Sequence, residues 1–202
     1  MIFEDRYDAA LQMIPLLEKY KNDEGVVLAV PRGGVPIGYH IAKHYQFPLE
    51  LLLTKKIGHP GSSELAIGAV SLESEVIDNR FDITDEYIDS EIRKIRKSLR
   101  ERYKKFMGDR TPLDLKDKTV IIVDDGIATG NTMLASIKLI RTKHPRKIVV
   151  AVPVAPSRTE RKILEAADDF ICVYTPDEFF GVGQFYRDFS QVTDEEVIEY
   201  MR

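Results

Sequence analysis

At 202 residues with 44% hydrophobic content, the chain is long enough for one domain with a full core. Its formal net charge of −4 excludes a general electrostatic pull toward nucleic acid or a membrane surface. No apolar run reaches the roughly 18 residues of a transmembrane helix, and the start, Met1-Ile-Phe-Glu-Asp-Arg, lacks the charged and apolar regions of a signal peptide. The one cysteine, Cys172 on an apolar strand, reads as a core filler and fits a reducing cytoplasm, the location expected here.

In chain order, a helix is predicted over 5–20, with a kink or break at Pro15. Strand Val26–Val30 follows, then the turn Pro31–Gly34 and a helix over 35–46. Strand Leu49–Thr54 leads into a polar loop, Lys55–Gly61. Residues 64–82 are ambiguous: Leu65–Leu72 with Val76–Ile77 reads as a hairpin or as two short edge strands. A long helix over 85–107 carries an apolar stripe of Ile88, Ile92, Ile95, Leu99, Tyr103 and Phe106. Its other face is basic, with Arg93, Lys94, Arg96, Lys97, Arg100, Arg102, Lys104 and Lys105. That face is read first as solvated, second as a nucleic-acid contact and third as a cover over an anionic ligand. Strand Val120–Val123, helix 132–144, strand Ile148–Val152, helix 157–166 and strand Phe170–Tyr174 complete the alternation.

Strands alternating with helices predict an α/β fold, with a doubly wound, mainly parallel sheet flanked by helices. Strands 120–123 and 148–152 are apolar throughout, as in a sheet buried on both faces. Ligands of such sheets bind at the carboxyl ends of the strands. Three polar loops fall at such ends: Pro31–Gly34, Lys55–Gly61 and Asp124–Asn131.

The most informative loop is the last. Asp124 and Asp125 end a buried strand, and the turn Gly126–Asn131 opens a helix with Met133, Leu134, Ile137 and Ile140 at helical spacing. The carboxylates can accept bonds from sugar hydroxyls. The turn amides and the positive helix end can take a phosphate, with Gly130 allowing close approach and Thr129 and Thr132 offering hydroxyls. In Pro31-Arg32-Gly33-Gly34, the glycines let amides turn toward an anion and Arg32 can fork onto phosphate oxygens. Lys55 and Lys56, at the end of their strand, are placed to face the same cleft. Near the C-terminus, Thr175–Ser190 sets aromatics beside glycines, a composition suited either to core packing or to a stacking wall for a flat base.

Val120–Thr132 resembles the phosphoribosyl pyrophosphate (PRPP) signature of type I phosphoribosyltransferases, and recurrent family elements extend the similarity over most of the chain. The resemblance implies one domain over 1–202, with a small hood over the site contributed by loops and the 175–190 region. It implies that Asp124 and Asp125 hold the ribose 2- and 3-hydroxyls and that Ala128, Thr129, Gly130, Asn131 and Thr132 cradle the 5-phosphate. The family's corresponding short loop binds pyrophosphate, often through a cis peptide, which gives that role to Arg32, Gly33 and Gly34. A basic residue at the place of Lys55 or Lys56 contacts pyrophosphate, and a mobile cover follows, here residues 57–64 or a longer stretch toward 110. The tail is similar to that of hypoxanthine-guanine enzymes, which implies Phe179 as the base-stacking ring, Phe180 as a backbone contact to the base and Arg187 as a pyrophosphate contact.

The chain departs from that pattern in several places. Ala128 replaces the Asp that serves hypoxanthine-guanine enzymes in proton transfer, as in adenine-type members. No lysine follows strand 148–152, where Val154-Ala155-Pro156 stands. In the tail the Gly-to-Tyr spacing is shorter, and an Asp that approaches metal has no counterpart. The implied activity is transfer of a phosphoribosyl group from PRPP to a nitrogenous base, of purine type, with release of pyrophosphate in nucleotide salvage. Magnesium is implied as cofactor, held largely by PRPP oxygens and water, with Asp124 and Asp125 as its protein neighbours. A homodimer is expected by analogy with the family. The alternative is a non-catalytic PRPP- or nucleotide-binding regulator using the same pocket. His40 and His44 stand four apart on a helix without the Glu of a zincin motif, and neither a nucleophile elbow nor a Walker A loop occurs.

Overall fold

The computed structural model describes residues 2–78 and 80–202. Met1, and Asn79 within the ambiguous stretch 64–82, lie outside the described residues. Helix α1 (Arg6–Met13) is capped by Asp5, whose carboxylate accepts from the Asp8 amide, and it gives way to a 3-10 segment over Ile14–Tyr20. Pro15 lies in the first turn of that segment, where its missing N–H costs least, so the expected break occurs there. Then come β1 (Gly25–Ala29), α2 (Gly34–Tyr45) and β2 (Leu49–Leu51). Three further strands, β3 (Lys55–His59), β4 (Ser62–Val70) and β5 (Glu75–Ile77), form a separate antiparallel sheet. Helix α3 (Asp85–Met107) leads to β6 (Thr119–Val123), α4 (Asn131–Arg141), β7 (Lys147–Val154), α5 (Ser157–Leu164), β8 (Asp169–Tyr174) and α6 (Asp194–Met201).

The central sheet is parallel throughout, in the order β2-β1-β6-β7-β8. Every residue of β1 and β6 is buried, which is why both strands are apolar without alternation. Val27, Ile121, Val123, Val149 and Ala151 face the α1/α2 layer, with Ala10, Met13, Ile37 and Ile41. Val26, Leu28, Val120, Ile122 and Val150 face the opposite layer, with Met133, Ile137 and Ile163. Each fully buried Val or Ile contributes roughly 1.5–3 kcal/mol relative to exposure. The chain leaves β1 toward β2 and leaves β6 toward β7, in opposite directions across the sheet. The switch between β1 and β6 opens a crevice beyond their carboxyl ends, where Ala29 pairs with Val123.

Two elements differ from expectation, and one ambiguous stretch is resolved. The stretch read as the polar loop Lys55–Gly61 is mostly strand β3, with a tight turn before β4. The hairpin reading of 64–82 holds, since β4 and β5 pair antiparallel. Helix α6 was not expected; Thr193 caps it, reciprocated by Glu196, a T-x-x-E box that the sequence does carry. The β3–β5 sheet, α3 and α6 share a third core over the β2 edge, with Leu53, Ile57, Ile67, Leu99, Phe106 and Val197. Among the described residues, four of the eight cations on the basic face of α3 are paired with acids: Lys94 with Glu91, Arg96 with Glu75, Lys104 with Asp109 and Lys105 with Asp194. Among the described residues no helix is long and apolar enough to cross a membrane.

Candidate active site

The turn after β6 lines a cleft of about 220 Å³ at the switch point. Its walls are Val30, Asp124, Gly126 to Gly130, Thr132, Met133 and Ser136. Gly130 caps α4 in the left-handed region, φ 77°, where a side chain would be strained. The helix starts immediately after it, so its first amides, which have no intrahelical partner, open toward the turn. Thr129, Asn131 and Thr132 are exposed there, and the Ala128 carbonyl is fixed by the Thr159 hydroxyl at 2.7 Å.

The two acids divide. Asp124 lines the cleft, and its Oδ1 accepts from the Asp125 amide at 2.8 Å. Burial and the neighbouring Asp125 charge push its carboxyl well above the ordinary range. Asp125 turns away: its Oδ2 accepts from Arg6 Nε at 3.0 Å and Arg6 Nη2 at 2.8 Å. Burial pushes Asp125 up as well, opposed by the Arg6 guanidinium. The Asp125 carbonyl accepts from the Tyr186 hydroxyl at 2.7 Å.

The turn after β1 packs directly on these acids. The Pro31–Arg32 peptide is cis. A Cβ on Gly33 would lie 1.9 Å from Asp125 Oδ2, and one on Gly34 would lie 2.5 Å from the Val123 carbonyl oxygen. The glycine pair is therefore demanded by close approach of the two turns, in addition to any amide that faces a ligand. Arg32 Nη1 lies 3.3 Å from Asp194 Oδ1 at the start of α6, and Lys105 reaches the other Asp194 oxygen at 2.7 Å. Lys55 and Lys56 open β3 and are exposed. Just before them, the Thr54 hydroxyl meets Ser136 on the cleft wall at 3.0 Å, which brings the start of β3 to the same rim.

The tail sorts its aromatics. Phe179 is half-buried against the first core, its ring centroid 5.5 Å from that of Phe185, whereas Phe180 is 90% exposed. Val182 packs over Gly126, so the tail borders the acid turn. Arg187 is not brought to the cleft: it pairs with Glu4 at 2.8 Å on the surface. The arginine on the acid pair is Arg6, which has no motif around it and bonds Asp125, while the N-terminal segment that carries it is tied to Tyr186 by an isolated bridge through Phe3. Asp194 was missed in the same way, although the capping box at Thr193 marks its helix.

Among the described residues no group of three or more His, Cys, Asp or Glu could hold a metal ion. With Asp125 engaged by Arg6, the cleft offers one carboxylate, Asp124. That donor set fits a magnesium ion carried by substrate oxygens and water, and does not fit an all-protein cage.

The parallel sheet, with its two turns meeting at the switch point, has the fold of a phosphoribosyltransferase. A phosphoribosyl transferase domain model matches residues 8–190, and the chain belongs to that family. Two curated Mycobacterium tuberculosis proteins, provisionally named as phosphoribosyl transferases, are each 36% identical over 205 residues, covering 99% of this chain and 46% of theirs. The chain thus spans about half the length of the curated relatives it matches. TT1426 from Thermus thermophilus is similar over 100% of this chain and 98% of its own, with 33% identity and a TM-score of 0.90. A hypoxanthine-guanine phosphoribosyltransferase from Bacillus anthracis shares the fold at 13% identity, with a TM-score of 0.50 over 88% and 83% of the two chains.

Proposed function

We propose that the chain transfers the 5-phosphoribosyl group of PRPP to the ring nitrogen of a purine-type base and releases pyrophosphate. The supporting observation is the contact between the two turns: Asp124 and the turn Gly126–Gly130 line one cleft at the switch point, and Gly33–Gly34 pack directly against the acid pair beside it. In this reading Ala128 to Thr132 take the 5-phosphate, as the capped helix start and its amides favour an anion. Asp124 accepts from the ribose hydroxyls. Arg32, with the exposed Lys55 and Lys56, stabilises the pyrophosphate, so Arg32 exchanges Asp194 for the ligand. Of the two adjacent rings, Phe180 is the one free to cover a flat base, since Phe179 is packed against Phe185.

The bond from ribose C1 to the pyrophosphate oxygen breaks, with the electron pair leaving on pyrophosphate, and the base nitrogen bonds to C1. The proton displaced from that nitrogen passes to solvent or to the departing pyrophosphate, because Ala128 provides no acceptor in the turn. Bound magnesium, bordered by Asp124, would add positive charge for the leaving group. Holding both partners in line accounts for most of the rate in such a site. The regulator reading has less support, because half of the basic face on α3 is consumed by ion pairs.

A pyrophosphate-release screen over free bases, with PRPP and magnesium, tests the proposal. Release is expected with at least one purine. PRPP binding by calorimetry without release for any base would favour the regulator, and no PRPP binding at all would sink both.

A further inference from the structure

Arg6 is among the most enclosed cations of the molecule, its side chain 11% exposed against 69% for Arg187. Two of its nitrogens converge on Asp125 Oδ2, and its Nη1 donates to the Ser190 carbonyl at 2.8 Å. The Phe189 ring lies under the guanidinium, 4.2 Å away. On its other side, the same Oδ2 fills the place where a Gly33 Cβ would sit. The carboxylate is thus a wedge between the first residue of α1 and the turn after β1.

The rest of Asp125 is equally confined. Its amide donates to Asp124, its carbonyl accepts from Tyr186, and the Tyr186 segment is laced to the N-terminus. That lacing runs from the Ile2 and Phe3 amides to the Phe185 carbonyl, and from the Arg187 amide to the Phe3 carbonyl. Displacement of Arg6 therefore passes through Asp125 to Gly33. A planar fork with several donors suits this place, where the point charge of a lysine could not serve Asp125 twice and Ser190 as well.

We propose that Arg6 is a positioning residue: by gripping Asp125 it holds Gly33 and Gly34 at the spacing at which the turn after β1 and Asp124 face one ligand. The identity of that ligand as PRPP rests on the function proposed above; the geometric part does not. Arg6 itself touches no ligand.

The test compares wild type with Arg6→Lys, which keeps the charge and removes the fork. Hydrogen exchange without ligand is followed at the Gly34 and Val35 amides, which bond to the Val30 and Arg32 carbonyls within the turn. Exchange there is expected to rise while the melting temperature stays close to wild type, and PRPP affinity in calorimetry is expected to fall roughly tenfold to a hundredfold. Arg6→Lys combined with Asp125→Ala should bind PRPP no more weakly than Asp125→Ala alone. Unchanged exchange at these two amides, or losses that multiply in the double variant, would overturn the proposal, the latter by showing that Arg6 meets the ligand directly. Should Arg6→Lys not fold, Arg6→Met in the Asp125→Ala background serves instead. No further rise in exchange over Asp125→Ala is then expected, and a further rise counts against the proposal. If wild type does not bind PRPP, the ligand reading fails while the exchange comparison still decides the role of Arg6.

Discussion

The carboxyl edge of the central sheet, where the interior strands β1 and β6 end, and the C-terminal tail both border the cleft, and they do so under opposite constraints. At the sheet edge, β1 and β6 are buried along their whole length, and the two turns that leave them touch through a carboxylate and a glycine. In the tail, one ring of an adjacent pair is packed and the other is 90% exposed. The edge has no slack, so its chemistry is set by backbone position. The tail presents a ring in solvent that can turn without moving the core. A dense interior transmits displacement, whereas an exposed ring does not.

The largest expected effect comes from breaking the edge. Gly33→Ala drives a Cβ against Asp125 Oδ2, which Arg6 prevents from yielding. Overpacking of this kind costs about 1–3 kcal/mol, and a displaced turn of this sort costs on the order of a hundredfold in catalysis. Thermal melts and PRPP titration check both, and an unchanged PRPP affinity would mean that the contact between the turns is immaterial to binding.

Asp124→Asn separates stability from function at the same edge. The Asp124 carboxyl is raised above its unfolded value, so the folded state binds more protons than the unfolded one between the two values, and stability falls as pH rises through that window. The substituted carboxamide keeps an oxygen that can accept the Asp125 amide and has no charge to bury. The variant is therefore expected to melt higher than wild type at neutral pH, with the gain vanishing below the ordinary carboxylate value of 3.8, while PRPP affinity drops. A melting temperature below wild type at pH 7 contradicts the burial argument.

The tail gives the smallest effects, and the two phenylalanines separate them. Phe179→Ala should cost about 2 kcal/mol in stability through lost packing on Phe185. Phe180→Ala should change stability by less than about 0.5 kcal/mol, because the ring is in solvent, and should raise KM for the base if the ring covers it as proposed. Equal effects of the two in chemical denaturation would erase the distinction between core ring and free ring.

Much of this was legible in the residues. The five parallel strands, the break at Pro15 and the turn 124–132 are encoded within short stretches whose apolar period, glycine content and acid pair are local properties. β3 was misread because Lys55-Lys56 and His59-Pro60-Gly61 carry loop composition, and strand formation there depends on pairing with β4. α6 was missed although its capping box is present, because an eight-residue helix gives too short an apolar period to stand out. Arg6 could not be placed, since nothing near it in the chain marks an arginine that closes on residues 119 positions away.

By itself, then, the sequence determined the five strands of the central sheet, the helices that alternate with them along the chain, and the two turns Pro31–Gly34 and Asp124–Asn131 at strand ends, because hydrophobic period and turn chemistry act over a few residues. Only the tertiary structure decided how the acid pair is shared. It turned Asp124 to the cleft, gave Asp125 to Arg6, packed Phe179 and left Phe180 free. Those outcomes depend on which distant segments meet when the two termini close over the sheet edge, and a buried carboxylate takes the cation that packing delivers to it.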